Sequence, residues 1–341
     1  MGDVTTEDRT VPRFGALAAA LGAMIGWGLG PVFVKFIRLP GLVLSFHRMW
    51  IGGLVGIVLL TARGQRLSLR KVWLATPGGI AFALDIATFF VAVKHTTVAD
   101  ATVISALQPV LVFIVVGRLF GEKVTLGDIA WTGVAIVGVA IVVFGPGDTA
   151  GRSLGGDLLA VGALVAWSWY FVASKRARQT LTALEYQAGL GIVAFIVIAP
   201  IVLASGDPLG VPDAATWGWI VVMVGLPGSG HLLMNWAHEY VPLTLTSMLT
   251  LTTPVIAALG AALVVHEPLL LVQAVGMGVV LIGLAAVVRR RSRAARHTAV
   301  SPIDDTAVDV GSPDPSTIRA ADPAGVDGPE AAGQRRPGAA G

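Results

Sequence analysis

The sequence has no cysteine and little charge, since only 13% of its 341 residues are Asp, Glu, Lys or Arg. The absence of cysteine excludes disulfides, thiolate metal sites and thiol nucleophiles. A chain with so few charged residues and 55% hydrophobic residues cannot cover the surface of a soluble globule. The composition therefore predicts an integral membrane protein.

Motifs for enzyme chemistry are also absent. We find no HExxH pair, no paired catalytic carboxylates and no Ser-His-Asp arrangement. The run GSGH at Gly228 to His231 lacks the lysine of a phosphate-binding loop. We therefore interpret the chain as a non-enzyme, and we expect no metal ion, no cofactor and no nucleic acid partner.

Apolar runs long enough to cross about 30 Å of hydrocarbon recur between Phe14 and Val288. The apolar run that follows Arg13 continues to Phe36, which favours a first span over a cleaved secretory signal. We predict an all-α integral membrane protein with ten transmembrane helices. The predicted spans are residues 14–36, 41–62, 72–93, 97–117, 125–144, 156–174, 183–204, 215–236, 243–265 and 269–288.

Two segments of the first half of the chain recur in the second half. The run WGLGPVFVK at 27–35 matches WSWYFVASK at 167–175, and residues 109–122 match 254–267. Each half holds five predicted spans, an odd number, so the second half enters the membrane in the opposite orientation. These inverted repeats predict alternating access around a central site.

The distribution of Lys and Arg predicts the orientation of the chain. With the N-terminus inside, the inner segments carry sixteen of these residues and the outer segments carry four, so both termini are predicted to be cytoplasmic. After residue 288 the composition becomes rich in Arg and then in Ala, Gly, Pro and Asp, which predicts disorder. The expected segments are a cytoplasmic N-terminal segment (1–13), a first five-helix repeat (14–144), an external linker (145–155), a second five-helix repeat (156–288) and a basic, then disordered cytoplasmic tail (289–341).

Prolines inside four predicted spans mark expected helix breaks, at Pro31, Pro109, Pro227 and Pro254. A proline removes one backbone hydrogen bond and usually kinks the helix, although a kink that serves packing alone is the alternative. Pro109 and Pro254 occupy matched positions of the two halves.

Glycines recur at four-residue spacing in the first two spans, at Gly22, Gly26 and Gly30 and at Gly52 and Gly56. Such spacing lets helices approach closely. We favour packing within the chain, and a homodimer face is the alternative.

Asp85 is the one carboxylate deep within a predicted span, thirteen residues into the third. A charge at the bilayer centre costs roughly 2.5 to 3.5 kcal/mol on insertion scales, so such a residue indicates function or tight pairing. The repeat offset of 145 residues carries Asp85 onto Gly230, next to His231. We predict that Asp85 is protonated during transport with His231 as its partner, and a buried pair that fixes helix packing is the alternative.

Arg48 in the second span either snorkels to the membrane surface or binds an anionic group, and its counterpart in the second half is Ala188. Trp27 and Trp167 are equivalent residues away from the helix ends, where they either line a pocket or pack in the core. Polar side chains precede the matched prolines, and Asn235 is the only asparagine of the chain. The expected cavity residues are Trp27, Arg48, Asp85, Gln108, Trp167, His231, Asn235 and Thr253, with Asp85 and His231 coupling protons.

These features resemble the EamA-type transporters, a bacterial branch of the drug/metabolite transporter superfamily. The shared pattern is a five-helix half with an early Trp, a Lys at the end of the first span, an Arg in the second span, and a Pro followed thirteen residues later by Glu122 or Glu267. Paired glycines follow, at Gly133 and Gly278 and at Gly138 and Gly283.

The resemblance covers residues 14–288. It implies ten helices around a cavity lined mainly by the first, third, fourth, sixth, eighth and ninth spans. It implies that Glu122 and Glu267 cap or orient the start of the next helix. It also implies export or exchange of small metabolites, often driven by the proton gradient.

We therefore interpret the sequence as a secondary transporter of the bacterial cytoplasmic membrane that exports small metabolites, such as amino acids or drug-like compounds, with proton coupling. The expected partners are a small-molecule substrate, protons and the lipid bilayer, with a homodimer as a further option. One alternative is an uptake permease or a facilitator in which Asp85 is structural. Others are an intramembrane enzyme that uses His47, Arg48 and His231 on a lipid-linked substrate, and a scramblase or receptor.

Overall fold

The computed structural model describes residues 11–34, 36–95, 98–144, 153–266 and 268–299. The expectations for Lys35, for Glu267, for residues 1–10 and 145–152 and for the tail beyond residue 299 lie outside these ranges. The chain divides into a compact unit, Met1–Ala295, and a second unit, Arg296–Gly341. Of the second unit, only helical residues 296–299 are described.

The described ranges contain α-helices and a 3₁₀ turn, and they contain no β-strand. The helices of the first half are α1 (Val11–Val34), α2 (Gly41–Ala62), α3 (Leu69–His95), α4 (Val98–Ser105), α5 (Gln108–Phe120) and α6 (Leu126–Phe144). Those of the second half are α7 (Leu154–Ala177), α8 (Ala183–Ser205), α9 (Ala214–Tyr240), α10 (Leu243–Leu249), α11 (Thr253–Val264) and α12 (Leu271–Ala299). The 3₁₀ turn, Thr250–Thr252, connects α10 to α11.

Within the described ranges, ten helical stretches are long and apolar enough to cross a membrane, as the sequence predicts. The fourth span consists of α4 and α5, and the ninth consists of α10, the 3₁₀ turn and α11. Boundaries differ by a few residues, since α3 begins at Leu69 and α9 continues to Tyr240. The prediction of an all-helical protein with ten spans is confirmed.

Side-chain caps fix where three helices of the second half begin. Ser153 caps α7, and Thr182 with Glu185 forms a capping box at the start of α8. Asp213 accepts a hydrogen bond of 2.7 Å from the Thr216 backbone N–H at the start of α9. That bond holds the pKa of Asp213 below its usual value.

The four prolines do not behave alike. Pro109 and Pro254 lie where a span divides into two helices, at the start of α5 and of α11. Pro31 and Pro227 lie inside the continuous helices α1 and α9, so the expectation of a break there is wrong. A proline removes only one hydrogen bond, and α1 and α9 pack against each other at this level, with Gly30 near the Pro227 ring.

Several glycines of α1 and α2 serve contacts within the chain. A Cβ added to Gly26 would lie 2.8 Å from the Leu226 carbonyl oxygen of α9. In α2 the close approach to α8 occurs at Gly53 and Gly56, since a Cβ on Gly56 would lie 3.1 Å from the Cα of Ala188. Nothing lies within 4 Å of such a Cβ on Gly52.

Helices of the first half pack mainly against helices of the second half. α1 packs on α9 and α11, α2 on α8, and α3 on α7 and α8. Ion pairs join helix ends at one end of the bundle, between Lys71 and Glu185, Arg178 and Glu239, and Arg291 and Asp128. We call this end, which also carries Arg63, Arg66 and Arg70, the basic end.

Candidate functional site

A group of rings occupies the interior where α1, α3, α7 and α9 meet. We call it the aromatic cluster, and it consists of Trp27, Phe82, Trp167, Tyr170, Phe171 and His231. The ring of Trp27 lies 5.1 Å from that of Trp167 and 4.9 Å from that of His231. The ring of Phe82 lies 4.6 Å from that of His231. Side chains from four helices therefore form one apolar wall around an imidazole.

The spacing of residues on α7 explains how one helix supplies half of the cluster. Tyr170, Phe171, Ser174 and Arg178 follow Trp167 by three, four, seven and eleven residues, which places them on one face of the helix. The aromatic residues come first along this face and the polar residues follow toward the basic end.

A buried hydrogen-bond network adjoins the cluster on the side of the basic end. Tyr170 Oη and Ser174 Oγ both donate to Asn235 Oδ1, at 3.0 and 2.7 Å. Asn235 Nδ2 donates to Gln187 Oε1 at 2.7 Å. Ser174 Oγ also lies 2.8 Å from His238 Nδ1. One amide thus ties α7, α8 and α9 together.

The network also assigns the tautomers of two histidines. Tyr170 and Ser174 each have one hydroxyl proton, and both protons go to Asn235. The contacts of His231 Nδ1 with Tyr170 Oη, at 3.3 Å, and of His238 Nδ1 with Ser174 Oγ are therefore donated by the imidazoles. Each ring is left with its Nε2 as an acceptor.

Arg48 and Asp85 are the charged residues that act on the Tyr170–His231 pair. Arg48 is within electrostatic range of His231, and Asp85 is within range of Tyr170. Both side chains are partly exposed, although α2 and α3 carry them into the bundle. In the described part of the chain neither forms an ion pair or a side-chain hydrogen bond. Two uncompensated charges of opposite sign inside a membrane protein indicate a site that solvent or a ligand completes.

Two further polar groups of the interior lack hydrogen-bond partners among the described residues. These are two of seven such buried atoms, namely the indole N–H of Trp27 and the amide Nε2 of Gln108, and Gln108 is fully buried. A buried donor without an acceptor costs roughly 1 to 3 kcal/mol, so each is a ready donor to a ligand or to water.

Gln108 and Thr253 lie at the divisions of the fourth and ninth spans. Gln108 Oε1 accepts a hydrogen bond of 3.3 Å from Thr250 Oγ1, which links the two divisions. Thr253 Oγ1 contacts Met24 Sδ at 3.7 Å. Across the described ranges, no hydrogen bond or ring contact joins these residues to the aromatic cluster.

His47 belongs to a different cluster. Its Nδ1 accepts a hydrogen bond of 3.1 Å from Trp50 Nε1, and its ring lies 5.2 Å from that of Trp217. The structure therefore separates His47 from His231.

A cleft of about 680 Å³ opens at the basic end between α2, α9 and the α7–α8 connection, and none of the expected cavity residues lines it. Arg178 on its wall donates from Nε to the Asn235 carbonyl oxygen at 2.8 Å and pairs with Glu239. Burial lowers the pKa of Arg178, and the Glu239 carboxylate opposes this shift. Arg178 thus connects the cleft to the network.

Glu122 does not cap the next helix, so that expectation is wrong. Its carboxylate accepts hydrogen bonds from the backbone N–H groups of Leu243 and Thr244, at 2.6 and 2.9 Å, where α10 begins. At the start of α6 that role belongs to Asp128, which accepts from the Thr125 N–H at 3.0 Å. The first N–H groups of α10 can take Glu122 as their partner because α10 begins after Pro242, whose side chain cannot cap a helix.

Sequence reasoning missed several residues of the site. Phe82, Tyr170, Ser174 and His238 carry ring contacts or hydrogen bonds beside the expected residues. The spacing of Tyr170 and Ser174 from Trp167 could have revealed them, because residues three, four and seven apart share a helix face. Phe82 lies three residues before Asp85, on the same face of α3.

Ten apolar spans in the described chain, packed around an interior aromatic cluster, define a multi-pass membrane protein. The chain belongs to the EamA-like transporter family, whose model matches residues 13–144 and again 154–289. It is therefore a transporter and not an enzyme.

Relatives of this chain carry transporter names. The aromatic amino acid exporter YddG of Ancylobacter novellus is 30% identical over 58% of this chain and 69% of its own length. The pseudopaline exporter CntI of Pseudomonas aeruginosa is 28% identical over 53% of this chain and 78% of its own length. A solved crystal structure superposes with a TM-score of 0.71, covering 82% of this chain and 99% of its own, at 22% identity. That likeness supports the fold.

Proposed function

We propose that the protein exports small metabolites by alternating access and couples export to protons through Asp85. The observation that carries the proposal is the position of Asp85, an interior carboxylate without an ionic partner in the described chain, within electrostatic range of Tyr170, which itself contacts the His231 imidazole. An unpaired carboxylate can bind a proton in one state and release it in another, because desolvation opposes its charge. His231, held as its Nδ1–H tautomer, presents Nε2 as a second acceptor.

We propose amino acids and related amphoteric compounds with an apolar or aromatic body as the substrates. Arg48 would bind the carboxylate, Asp85 the ammonium group, and the rings of Trp27 and Trp167 the side chain. The indole N–H of Trp27 supplies a further donor. The name of the aromatic amino acid exporter among the relatives supports this class, and both exporter names support the direction of transport.

We further propose that the basic end faces the cytoplasm, that the two halves are inverted repeats and that the membrane is a bacterial plasma membrane. The excess of Lys and Arg at this end supports the orientation. C-terminal reporter fusions test it, since an external C-terminus would refute it.

The test is substrate-induced proton movement in proteoliposomes loaded with a pH-sensitive dye. Wild-type protein should give a signal for amino acids with aromatic or branched side chains. Asp85→Asn should abolish the signal, and Asp207→Asn, at a carboxylate outside the spans, should keep it. A full signal from Asp85→Asn would refute the coupling role.

The substrate assignment has its own test with Arg48→Gln. This change should weaken binding of the free amino acid and leave binding of its methyl ester, which lacks the carboxylate charge, nearly unchanged. Equal losses for both compounds would refute the role of Arg48.

A facilitator or an uptake permease in which Asp85 is structural is the second candidate, because Phe82 and Ile86 beside it belong to the hydrophobic core. Radiolabelled counterflow without any dependence on pH would favour it over the proposed exporter.

A further inference from the structure

The basic end contains one contact that joins the first half of the chain to the ninth span. The Glu122 carboxylate, just after α5, accepts from the backbone N–H groups of Leu243 and Thr244 and from the Thr244 hydroxyl. The first N–H groups of a helix have no partner within it, and here they find a carboxylate from the other half of the chain. Such charge-assisted bonds are stronger than neutral ones.

Lys175, at the end of α7, completes the contact. Its Nζ lies 3.7 Å from Glu122 Oε1 and donates to the Val241 carbonyl oxygen at 2.7 Å. The Glu122 and Lys175 side chains are only 12% and 15% exposed. The turn between α9 and α10 is thus held by the Lys175 ammonium group at the end of α7 and by the Glu122 carboxylate just after α5.

The position of the contact relates it to the candidate site. Lys175 lies eight residues beyond Trp167 on α7, about 12 Å closer to the basic end at 1.5 Å per residue. α10 is only seven residues long, and the 3₁₀ turn separates it from α11. A 3₁₀ stretch within a helix often marks a hinge, which would let α10 tilt relative to α11.

We infer that Glu122 and Lys175 form a latch that holds α10 against α5 and α7 and keeps this side of the basic end, away from the cleft, closed over the aromatic cluster. Opening toward this end breaks the bonds of Glu122 to α10 and its contact with Lys175. The latch rests on the proposed alternating access, but its test, the labelling rate of a cysteine on α10, does not require a known substrate.

The absence of native cysteine makes the latch directly testable. Ser247→Cys places a reporter on α10, where the native side chain is fully buried. Its labelling by a charged maleimide should accelerate at least tenfold when Glu122→Gln is added. Lys175→Met should accelerate it as well, and the double variant should be no faster than Glu122→Gln alone, because both changes break the same contact.

Two reporters separate opening of the latch from loss of folding. Ser45→Cys lies in α2 and is also fully buried, whereas Ser205→Cys lies exposed at the end of α8. Neither should change its labelling rate with Glu122→Gln. Acceleration at Ser45→Cys would mean general unfolding and would overturn the inference.

The failures of the two proposals are distinguishable. Unchanged labelling of Ser247→Cys in Glu122→Gln, with proton-coupled export intact, overturns the latch and leaves the proposed function standing. Accelerated labelling restricted to Ser247→Cys, with no transport by wild-type protein, supports the latch and refutes the proposed function.

Discussion

Gly230 places α9 against the indole of Trp27, and Gly230→Ala should disturb the candidate site selectively. A Cβ at this position would lie 3.0 Å from Trp27 Nε1 and 3.1 Å from the Ala23 carbonyl oxygen. The carbonyl belongs to the backbone of α1 and cannot give way, so the Trp27 ring must shift to make room for the added Cβ. Its contacts with Trp167 and His231 then lengthen from 5.1 and 4.9 Å.

The magnitude follows from two opposing effects. Overpacking a tight contact costs roughly 1 to 3 kcal/mol. Replacing glycine by alanine inside a helix gains about 1 kcal/mol of helix propensity. Gly230→Ala should therefore range from neutral to about 2 kcal/mol destabilising. The matched control is Gly218→Ala, also in α9. Nothing lies within 4 Å of the added Cβ there, so only the gain in helix propensity applies.

Gly230→Ala should also weaken transport. An aromatic contact is worth about 0.5 to 1.5 kcal/mol, so loosening the Trp27 contacts should raise KM about twofold to tenfold. Thermal unfolding in detergent and transport in proteoliposomes measure the two quantities. If Gly230→Ala keeps the KM of Gly218→Ala, then Trp27 does not line the substrate site.

Further variants test the network, the fold and a helix cap. Asn235→Leu should leave the Tyr170 and Ser174 hydroxyls without their acceptor, at about 1 to 3 kcal/mol each, and should lower the unfolding temperature; an unchanged temperature would contradict the network. Gly138→Ala should prevent close packing of α6 on α12, because the added Cβ would lie 2.7 Å from a backbone nitrogen of α12, and monodisperse protein of normal stability would refute this. Asp213→Ala should lower the unfolding temperature near neutral pH, and Asp213→Ser should restore it as an alternative cap. Because the pKa of Asp213 is lowered in the folded state, its stabilisation exists above the unfolded value of about 3.9 and disappears as the pH falls through the lower folded value, so wild type and Asp213→Ala should converge in acid.

The sequence predicted the spans well because length and apolarity decide membrane insertion residue by residue. All ten spans appear within a few residues of their expected positions. The effect of each proline on its helix was harder to predict, since Pro31 and Pro227 stay within helices that neighbouring packing supports. Helix continuity depends on contacts between spans, which a single sequence does not reveal.

The candidate site could be predicted only in part. Four predicted residues do lie close together, namely Trp27, Trp167, His231 and Asn235. They could be predicted because charge, aromaticity and repeat position marked them in the sequence. The hydrogen bonds of Glu122 reach across 121 residues to Leu243, and no local rule distinguishes this partner from the next helix. Long-range pairing of polar groups is a property of the packed bundle.

The network around Asn235 has a consequence for spectroscopy. Asn235 is the only asparagine of the chain, so selective ¹⁵N labelling of asparagine gives one side-chain amide signal that needs no assignment. Its two amide protons would be distinguishable, because one of them is bound to Gln187. The frequency and exchange rate of this single resonance would follow the separation of α7, α8 and α9 in real time, in a lipid bilayer and without any engineered probe.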